Sequence, residues 1–389
     1  MNAHELKTTP WDVRAEDFRR QVGTHHKMQF LLRYAILAPS TRNTQPWRFK
    51  IDGERMRLYG DELLWQRVAD PHARELHISL GCAVENLLVA AEHFGYRHHV
   101  EYFPGSPGDV ACQITLEPSA RAQREPEASR VASGAVSPRV AGGGALAPVA
   151  LAKGAPTTEG KDVWPREVKE ESDELGLEAR DSALFAAITK RHTNHRPYDG
   201  RAIPKEHLEA LERSVREEGL SLLLTADPDV KRTVDGLVVE GDAIQFARPE
   251  FREELGQLIG RGTFGTPWLF SHIGQLAMSY LDLGKRLARK DHELLMSAPV
   301  LGILGAPGDD RETHLKVGRA FERVFLTATA LGLAVQPVSQ IVEVPDLRVE
   351  LAKSVPLRAG CLPQQPFRLG YGEPEKEHTP RRPLEEVLM

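Results

Sequence analysis

Nineteen residues from His77 to Gly95, HISLGCAVENLLVAAEHFG, return without a gap as HLKVGRAFERVFLTATALG from His314 to Gly332. The offset of 237 (318 − 81) pairs Gly81 with Gly318, Ala83 with Ala320, Glu85 with Glu322, Ala91 with Ala328 and Gly95 with Gly332. Apolar positions keep step: Leu80/Val317, Val84/Phe321, Leu87/Val324, Leu88/Phe325 and Phe94/Leu331. Apolar residues at i, i+3, i+4 and i+7 predict an amphipathic to fully buried helix for each copy, ended by a glycine. Two copies of one buried helix predict a chain of two related halves. A site between such halves can be asymmetric.

The chain has 389 residues, room for two substantial cores. Its 41% hydrophobic and 27% charged content is ordinary for a globular protein. A formal net charge of −5 argues against a general nucleic-acid binder. No apolar run approaches the roughly 18 residues of a membrane span. The N-terminus has neither a signal-peptide apolar stretch nor twin arginines. Cys82, Cys112 and Cys361 are odd in number and in no metal-like pattern. These features predict a reduced, soluble, cytoplasmic protein.

Along the chain, 26–38 reads as a helix halted before Pro39, and Trp47–Tyr59 as a β-hairpin turning at Asp52-Gly53. A strand pair is predicted over 99–116. From 118 to 173 the composition shifts to Ala, Gly, Pro and Ser without aromatic anchors, which predicts a flexible linker. The expected division is therefore 1–117, linker 118–173, and 174–389. The second half opens with a helix running into RHTNHRPY, then helices near 205–218 and 229–247 around a strand at Ser221–Leu224. The segment 249–293 carries Phe264, Trp268, Phe270 and Tyr280 and suits a cover over a pocket. Strands are expected at Ala298–Gly305 and Pro366–Gly372. Mixed helices and hairpins predict an α+β fold. Neither GxGxxG nor a Walker A tract occurs.

Four tracts could carry chemistry. In APSTRNTQPW, Ser40, Thr41, Asn43 and Gln45 place amides and hydroxyls on a short turn able to meet a polar heterocycle, or simply cap a helix. In RHTNHRPY, Arg191, Thr193 and Arg196 suit a phosphate clasp, or an exposed basic helix end. His192 and His195 lack Cys or carboxylate neighbours, so no metal site is expected. GLAVQPVSQ leaves the second repeated helix into a Pro-containing loop, and Arg381 and Arg382 add cations near the end.

Together these tracts resemble the FMN-dependent nitroreductase superfamily. Their division between two halves resembles its Acg-like subfamily of fused proteins. The resemblance implies a nitroreductase-like α+β fold whose tandem halves form an intramolecular pseudo-dimer with one composite FMN site. It implies that Pro39, Ser40, Thr41, Asn43 and Gln45 meet the flavin ring and ribityl. Arg191, Thr193 and Arg196 would hold the phosphate, joined by Arg381 and Arg382. Pro337, Val338, Ser339 and Gln340 would lie along the N5 edge, with a backbone N–H of Ser339 or Gln340 as donor. No side chain is assigned as catalytic. The implied activity moves hydride from NAD(P)H through FMN to a nitroaromatic or quinone-like acceptor, as a monomeric pseudo-dimer or a further homodimer. The chain departs from the family pattern at three places, and the altered N5 loop together with the cover at 249–293 points instead toward a flavin-holding stress protein with little turnover. Ser339-Gln340 replaces the family's Glu-Gly, His195 stands where Arg is common, and the lysine near flavin N1 has no match.

Overall fold

Each half builds the same four-stranded antiparallel sheet around its copy of the repeated helix. The computed structural model describes residues 9–105, 109–119, 180–260, 263, 292–375 and 377–389. The expected linker at 118–173 falls almost wholly outside these residues, as do Phe264, Trp268, Phe270 and Tyr280.

In the first half, helix α1 (Thr24–Ala35) precedes strands β1 (Trp47–Asp52) and β2 (Arg55–Gly60). Helix α2 (Arg74–His93), β3 (Tyr96–Tyr102) and β4 (Val110–Pro118) complete it, with sheet order β1-β2-β4-β3. In the second half a helix over 180–188, α3, is followed by α4 (Lys205–Ser214) and β5 (Ser221–Thr225). Next come α5 (Pro228–Ala247), α6 (Pro249–Gly260), β6 (Val300–Ala306) and α7 (Arg311–Ala330). Then β7 (Ala334–Pro337), α8 (Pro345–Ser354) and β8 (Leu362–Gly370) give sheet order β5-β6-β8-β7. Both halves thus run strand, strand, long helix, strand, strand with one topology.

The register repeats as well. Arg97↔Glu117 and His98↔Leu116 in the first sheet match Ala334↔Gly370 and Val335↔Leu369 in the second. A register shift at Leu58/Tyr59 has its twin at Leu304/Gly305. Gly95 and Gly332, at φ +80° and +72°, end the two long helices in the left-handed conformation that glycine adopts without steric cost. The main asymmetry is an insertion. β1 and β2 join through Gly53 in a tight turn, whereas α5, α6 and further chain lie between β5 and β6.

The two long helices cross at their shared glycines. A Cβ on Gly81 would lie 2.1 Å from the Leu315 carbonyl oxygen, and one on Gly318 would lie 2.0 Å from that of Ile78. Ile78 and Leu315 are themselves partners in the repeat, so the contact is reciprocal, as across a two-fold axis. One apolar core runs through both halves, joining Leu31, Trp47 and Leu88 to Val324, Phe325 and Phe367. Two segments cross over. In α3, Phe185 stacks on His93 at 3.7 Å and tilts against Tyr34 at 4.9 Å. At the C-terminus, Leu388 bridges Phe49 in parallel and the Met389 amide donates to the Phe49 carbonyl at 2.8 Å. Cleaving the backbone between residues 130 and 160 is expected to leave both halves together on size exclusion. Elution as two separate fragments would contradict this interlock.

The expected helix 26–38 begins at Thr24 and ends at Ala35, with Leu37 and Ala38 in tighter turns that bond back to Tyr34 and Ala35 ahead of Pro39. The expected helix 205–218 stops at Ser214. No described helix is long and apolar enough to cross a membrane.

Candidate functional site between the halves

The turn between α1 and β1 is held in an uncommon backbone state. Arg42, Asn43 and Gln45 have φ of +50°, +55° and +52°. Side-chain-bearing residues in this left-handed region cost roughly 1–2 kcal/mol each, so surrounding bonds must impose the shape. They do. Ser40 Oγ accepts from the Gln45 amide at 2.9 Å, and Ser79 Oγ accepts from the Thr41 amide at 3.1 Å. Thr41 Oγ1 donates to Glu75 Oε2 at 2.6 Å, and the Glu75 carboxylate pairs with Arg74. Burial pushes the Glu75 carboxyl up, against the pull of Arg74. Pro39 sits half-buried ahead of this turn.

The C-terminal segment closes on the same turn. Arg381 Nη1 donates to Asn43 Oδ1 at 2.8 Å, and Asn43 Nδ2 donates to the Pro380 carbonyl at 3.0 Å. The Arg382 amide donates to Gln45 Oε1 at 2.7 Å, and its Nη1 donates to the Gln45 carbonyl at 3.1 Å. Trp11 stacks on His378 at 3.8 Å, and His378 stacks on His192 at 3.7 Å. Burial and the neighbouring His192, Arg191 and Arg381 push the His378 ring down to about 3, so it stacks uncharged near neutral pH.

Arg191 arrives from the second half just beyond α3. Its Nη2 donates to the Leu37 carbonyl at 3.1 Å, and Arg381 Nη2 donates to the same oxygen at 3.2 Å. Two buried guanidiniums therefore converge on one carbonyl at the end of α1, where the helix dipole favours cations. Glu322 on α7 lies 3.4 Å from Arg191 Nε. Burial raises its carboxyl to about 8, Arg191 and Arg381 pulling it down and Glu85 pushing it up. Near neutral pH the cluster thus carries close to two positive charges, since arginine keeps its proton even when burial disfavours it. Several buried atoms make no hydrogen bond: Arg191 Nε and Glu322 Oε1, which only face each other at 3.4 Å, with Arg381 Nε, Glu322 Oε2 and His192 Nε2. Such a concentration of unmet groups needs an explanation beyond packing.

The remaining tracts border this cluster unequally. Thr193 bridges Val335, so the stretch after Arg191 extends the second sheet beside β7. Val338 is buried, Ser339 Oγ accepts from Gln365 Nε2 at 3.1 Å, and Gln340 opens a helical turn ending at Glu343. Arg42 ties that turn to the first half, its Nη2 lying 2.7 Å from Glu343. β7 ends at Pro337, which pairs with Phe367. Arg196 stands apart from Arg191 and Arg381. Its half-exposed side chain pairs with Glu373 at 2.8 Å and Glu375 at 3.3 Å. Arg382 is shared with Asp61 at 3.4 Å.

The sequence reading overlooked Glu322, Glu75 and Arg42. Glu322 did leave a signal, as the only acidic identity shared by the two copies of an otherwise apolar helix. Among the described residues, no group of three or more His, Cys, Asp or Glu could hold a metal ion.

No protein-family model matches the chain. Two Mycobacterium tuberculosis proteins, each named "Putative NAD(P)H nitroreductase", are 26% identical over 368 residues, 92% of this chain and 90% of theirs. The FMN-dependent nitroreductase NfnB of Mycobacterium smegmatis, solved in complex with NADPH, overlaps 53% of this chain and 96% of its own, at 16% identity and TM-score 0.37. A nitroreductase with bound FMN from Desulfitobacterium hafniense overlaps 52% of this chain and 95% of its own, at 12% identity and TM-score 0.35. Over nine-tenths of its length, then, the chain is similar to the two mycobacterial proteins that carry the nitroreductase name.

Proposed function

We propose that FMN binds between the halves at the Arg191–Arg381–Glu322 cluster, and that the protein is an Acg-like NAD(P)H oxidoreductase of the nitroreductase type. The observation that carries this reading is the Arg191–Arg381–Glu322 cluster. It offers two buried cations, unmet donors and a carboxyl that burial keeps largely protonated, which fits a phosphate monoester. The name shared by the two mycobacterial relatives supports it. FMN, when bound, supplies the hydride chemistry, and the protein supplies orientation and electrostatics.

The strained turn has the shape to present Ser40, Thr41, Asn43 and Gln45 to the flavin, with its conformation fixed beforehand rather than on binding. Preorganisation of this kind reduces the entropy lost on association. Arg191 and Arg381 neutralise the phosphate, with Thr193 and Arg382 beside them. The turn from Pro337 to Gln340 borders the ring edge, and Arg42–Glu343 holds it against the first half. The acceptor class in this reading is a nitroaromatic or a quinone.

A second reading, a flavin-holding protein with little turnover, is favoured by the insertion. Glu254 of α6 accepts from the amides of Val68 and Ala69, both at 3.0 Å, and Arg42 lies over the Phe251 ring at 5.2 Å. The inserted helices are thereby fastened over the first half's loops. Mixing FMN-loaded protein with NAD(P)H without oxygen separates the two. Bleaching of the flavin band, restored by a nitroaromatic or quinone, establishes the reductase. A band that persists establishes the holder, and a protein that takes up no FMN removes both.

The raised Glu322 pKa sets the sign of a pH effect. Its folded value lies above that of an unfolded glutamate. Its stabilising contribution is therefore complete below the ordinary carboxylate range and is lost as pH rises towards about 8. Ionisation also places a negative charge beside the phosphate. Glu322→Gln is expected to flatten both dependences: wild-type FMN affinity falls several-fold more between pH 6.5 and about 9 than that of the variant. Flavin fluorescence titrations at each pH check it, and parallel profiles would contradict it.

A further inference from the structure

The matched registers locate the counterpart of the Arg191–Arg381–Glu322 cluster. Counting back from the equivalent residues Arg48 and Ser221, Asn43 corresponds to Arg216 and Thr44 to Glu217. Val335 corresponds to His98, and Glu322 to Glu85. Arg216, Glu217, His98 and Glu85 do come together, lining a cavity of about 100 Å³ with Glu92, Arg319, Ala320 and Arg323.

The two places are built differently. Around Glu322 the arginines come from outside the helix pair, while α2 presents Cys82 and Asn86. Around Glu85 the helix α7 itself carries arginines at the equivalent positions, Arg319 and Arg323. They fill part of the space from within. Burial pushes Glu85 up, but Arg323 and Arg319 outweigh it and hold the carboxyl below its usual range, so it stays charged. Equivalent glutamates therefore sit in opposite protonation states.

Three arginines face three glutamates in the cavity, and one arginine donor is left without a hydrogen-bond partner. Arg319 is matched by Glu85 at 3.1 Å and Glu217 at 2.8 Å. Arg323 shares Glu85 through Nε, and its Nη2 reaches Glu92 only at 4.0 Å. Arg323 Nη1 is buried with no hydrogen-bond partner, on a side chain only 5% exposed. Arg216 stands exposed at the rim. Burial raises Glu92, against the pull of Arg323, and its Oε1 lies 3.6 Å from His98 Nδ1.

We propose that this cavity is a second ligand site, separate from the Arg191–Arg381–Glu322 cluster, that takes a small oxyanion of the size of inorganic phosphate. Arg323 Nη1 meets it at the floor, Arg216 closes the rim, and His98 lies alongside. The cavity is too small for a flavin, and the assignment does not depend on FMN binding at the other place.

His98 is the local reporter, identified by the ring resonance that His98→Asn removes. Titrating the full chain with inorganic phosphate should shift that resonance saturably. It should also raise the His98 pKa, which burial and Arg319, Arg323 and Arg216 now depress. Arg216→Ala should weaken phosphate about tenfold, the loss of one charge-assisted contact. Arg323→Gln should abolish the shift; if that variant fails to fold, the exposed Arg216 keeps the test. A shift that never saturates, or persists unchanged in Arg216→Ala, overturns the proposal. So does a phosphate-dependent rise in melting temperature with a silent His98, which would assign the anion to Arg191 and Arg381.

Discussion

Gly318→Ala is expected to cost more than about 3 kcal/mol and to leave little soluble protein. The added methyl would lie 2.0 Å from the Ile78 carbonyl oxygen and 2.9 Å from Gly81 Cα. Both are backbone atoms in the middle of a long helix, so no side chain can swing away. Relief requires moving α2 and α7 apart, and the apolar core on either side of the crossing opens with them. Because the contact is reciprocal, Gly81→Ala should do the same. The control is Gly236→Ala on the exposed face of α5, where nothing lies within 4 Å of a new Cβ. Alanine there is expected to stabilise by up to about 1 kcal/mol through helix propensity. Urea denaturation of the three variants checks the contrast. Equal effects at Gly318 and Gly236 would rule out close helix approach as the reason for the shared glycines.

Arg381→Met should weaken FMN binding by more than it weakens the flavin-free protein. A charge-assisted phosphate contact is worth roughly 1.5–3 kcal/mol, a loss of about tenfold to a hundredfold in affinity. In the absence of ligand Arg381 is a buried cation facing Arg191, and burial with that repulsion pushes its pKa down. Replacing it by an apolar side chain removes a desolvated charge, a gain that offsets part of the cost of losing its bonds to Asn43 Oδ1, Thr379 Oγ1 and the Leu37 carbonyl. A loss of ligand affinity that exceeds the loss of ligand-free stability distinguishes a clamp from a structural tie. Arg196→Ala should do much less, below about 1 kcal/mol, because its partners Glu373 and Glu375 leave it a half-exposed surface pair. Flavin fluorescence and thermal melts on both variants decide it. Retained FMN affinity in Arg381→Met with a fallen melting temperature would overturn the clamp.

Much of the architecture was legible because it rests on local chemistry. The long helices announced themselves through apolar spacing and small residues, and the hairpin through alternation around Asp52-Gly53. The turn from Pro39 to Gln45 stood out by composition, and RHTNHRPY by its charge. Legibility failed where residues of one type had to be ranked. Arg191, Arg196, Arg381 and Arg382 are equally basic on paper, yet only Arg191 and Arg381 share the Leu37 carbonyl. The left-handed backbone at Arg42, Asn43 and Gln45 was also invisible, since none of these is the glycine that would mark it.

Spacing along the chain is enough to establish that two copies of one helix exist, that small residues recur at Gly81 and Gly318, and that the polar tracts are divided between the halves. Those properties follow from spacing along a single element, which physics reads at short range. Only the tertiary structure decided that the glycines meet each other and that the C-terminal segment locks onto Asn43 and Gln45. It alone decided that Glu322 is held largely protonated while Glu85 stays charged. Burial and Coulomb interactions depend on every neighbour at once, and those acting on Glu322 come from as far along the chain as Glu85, 237 positions away (322 − 85).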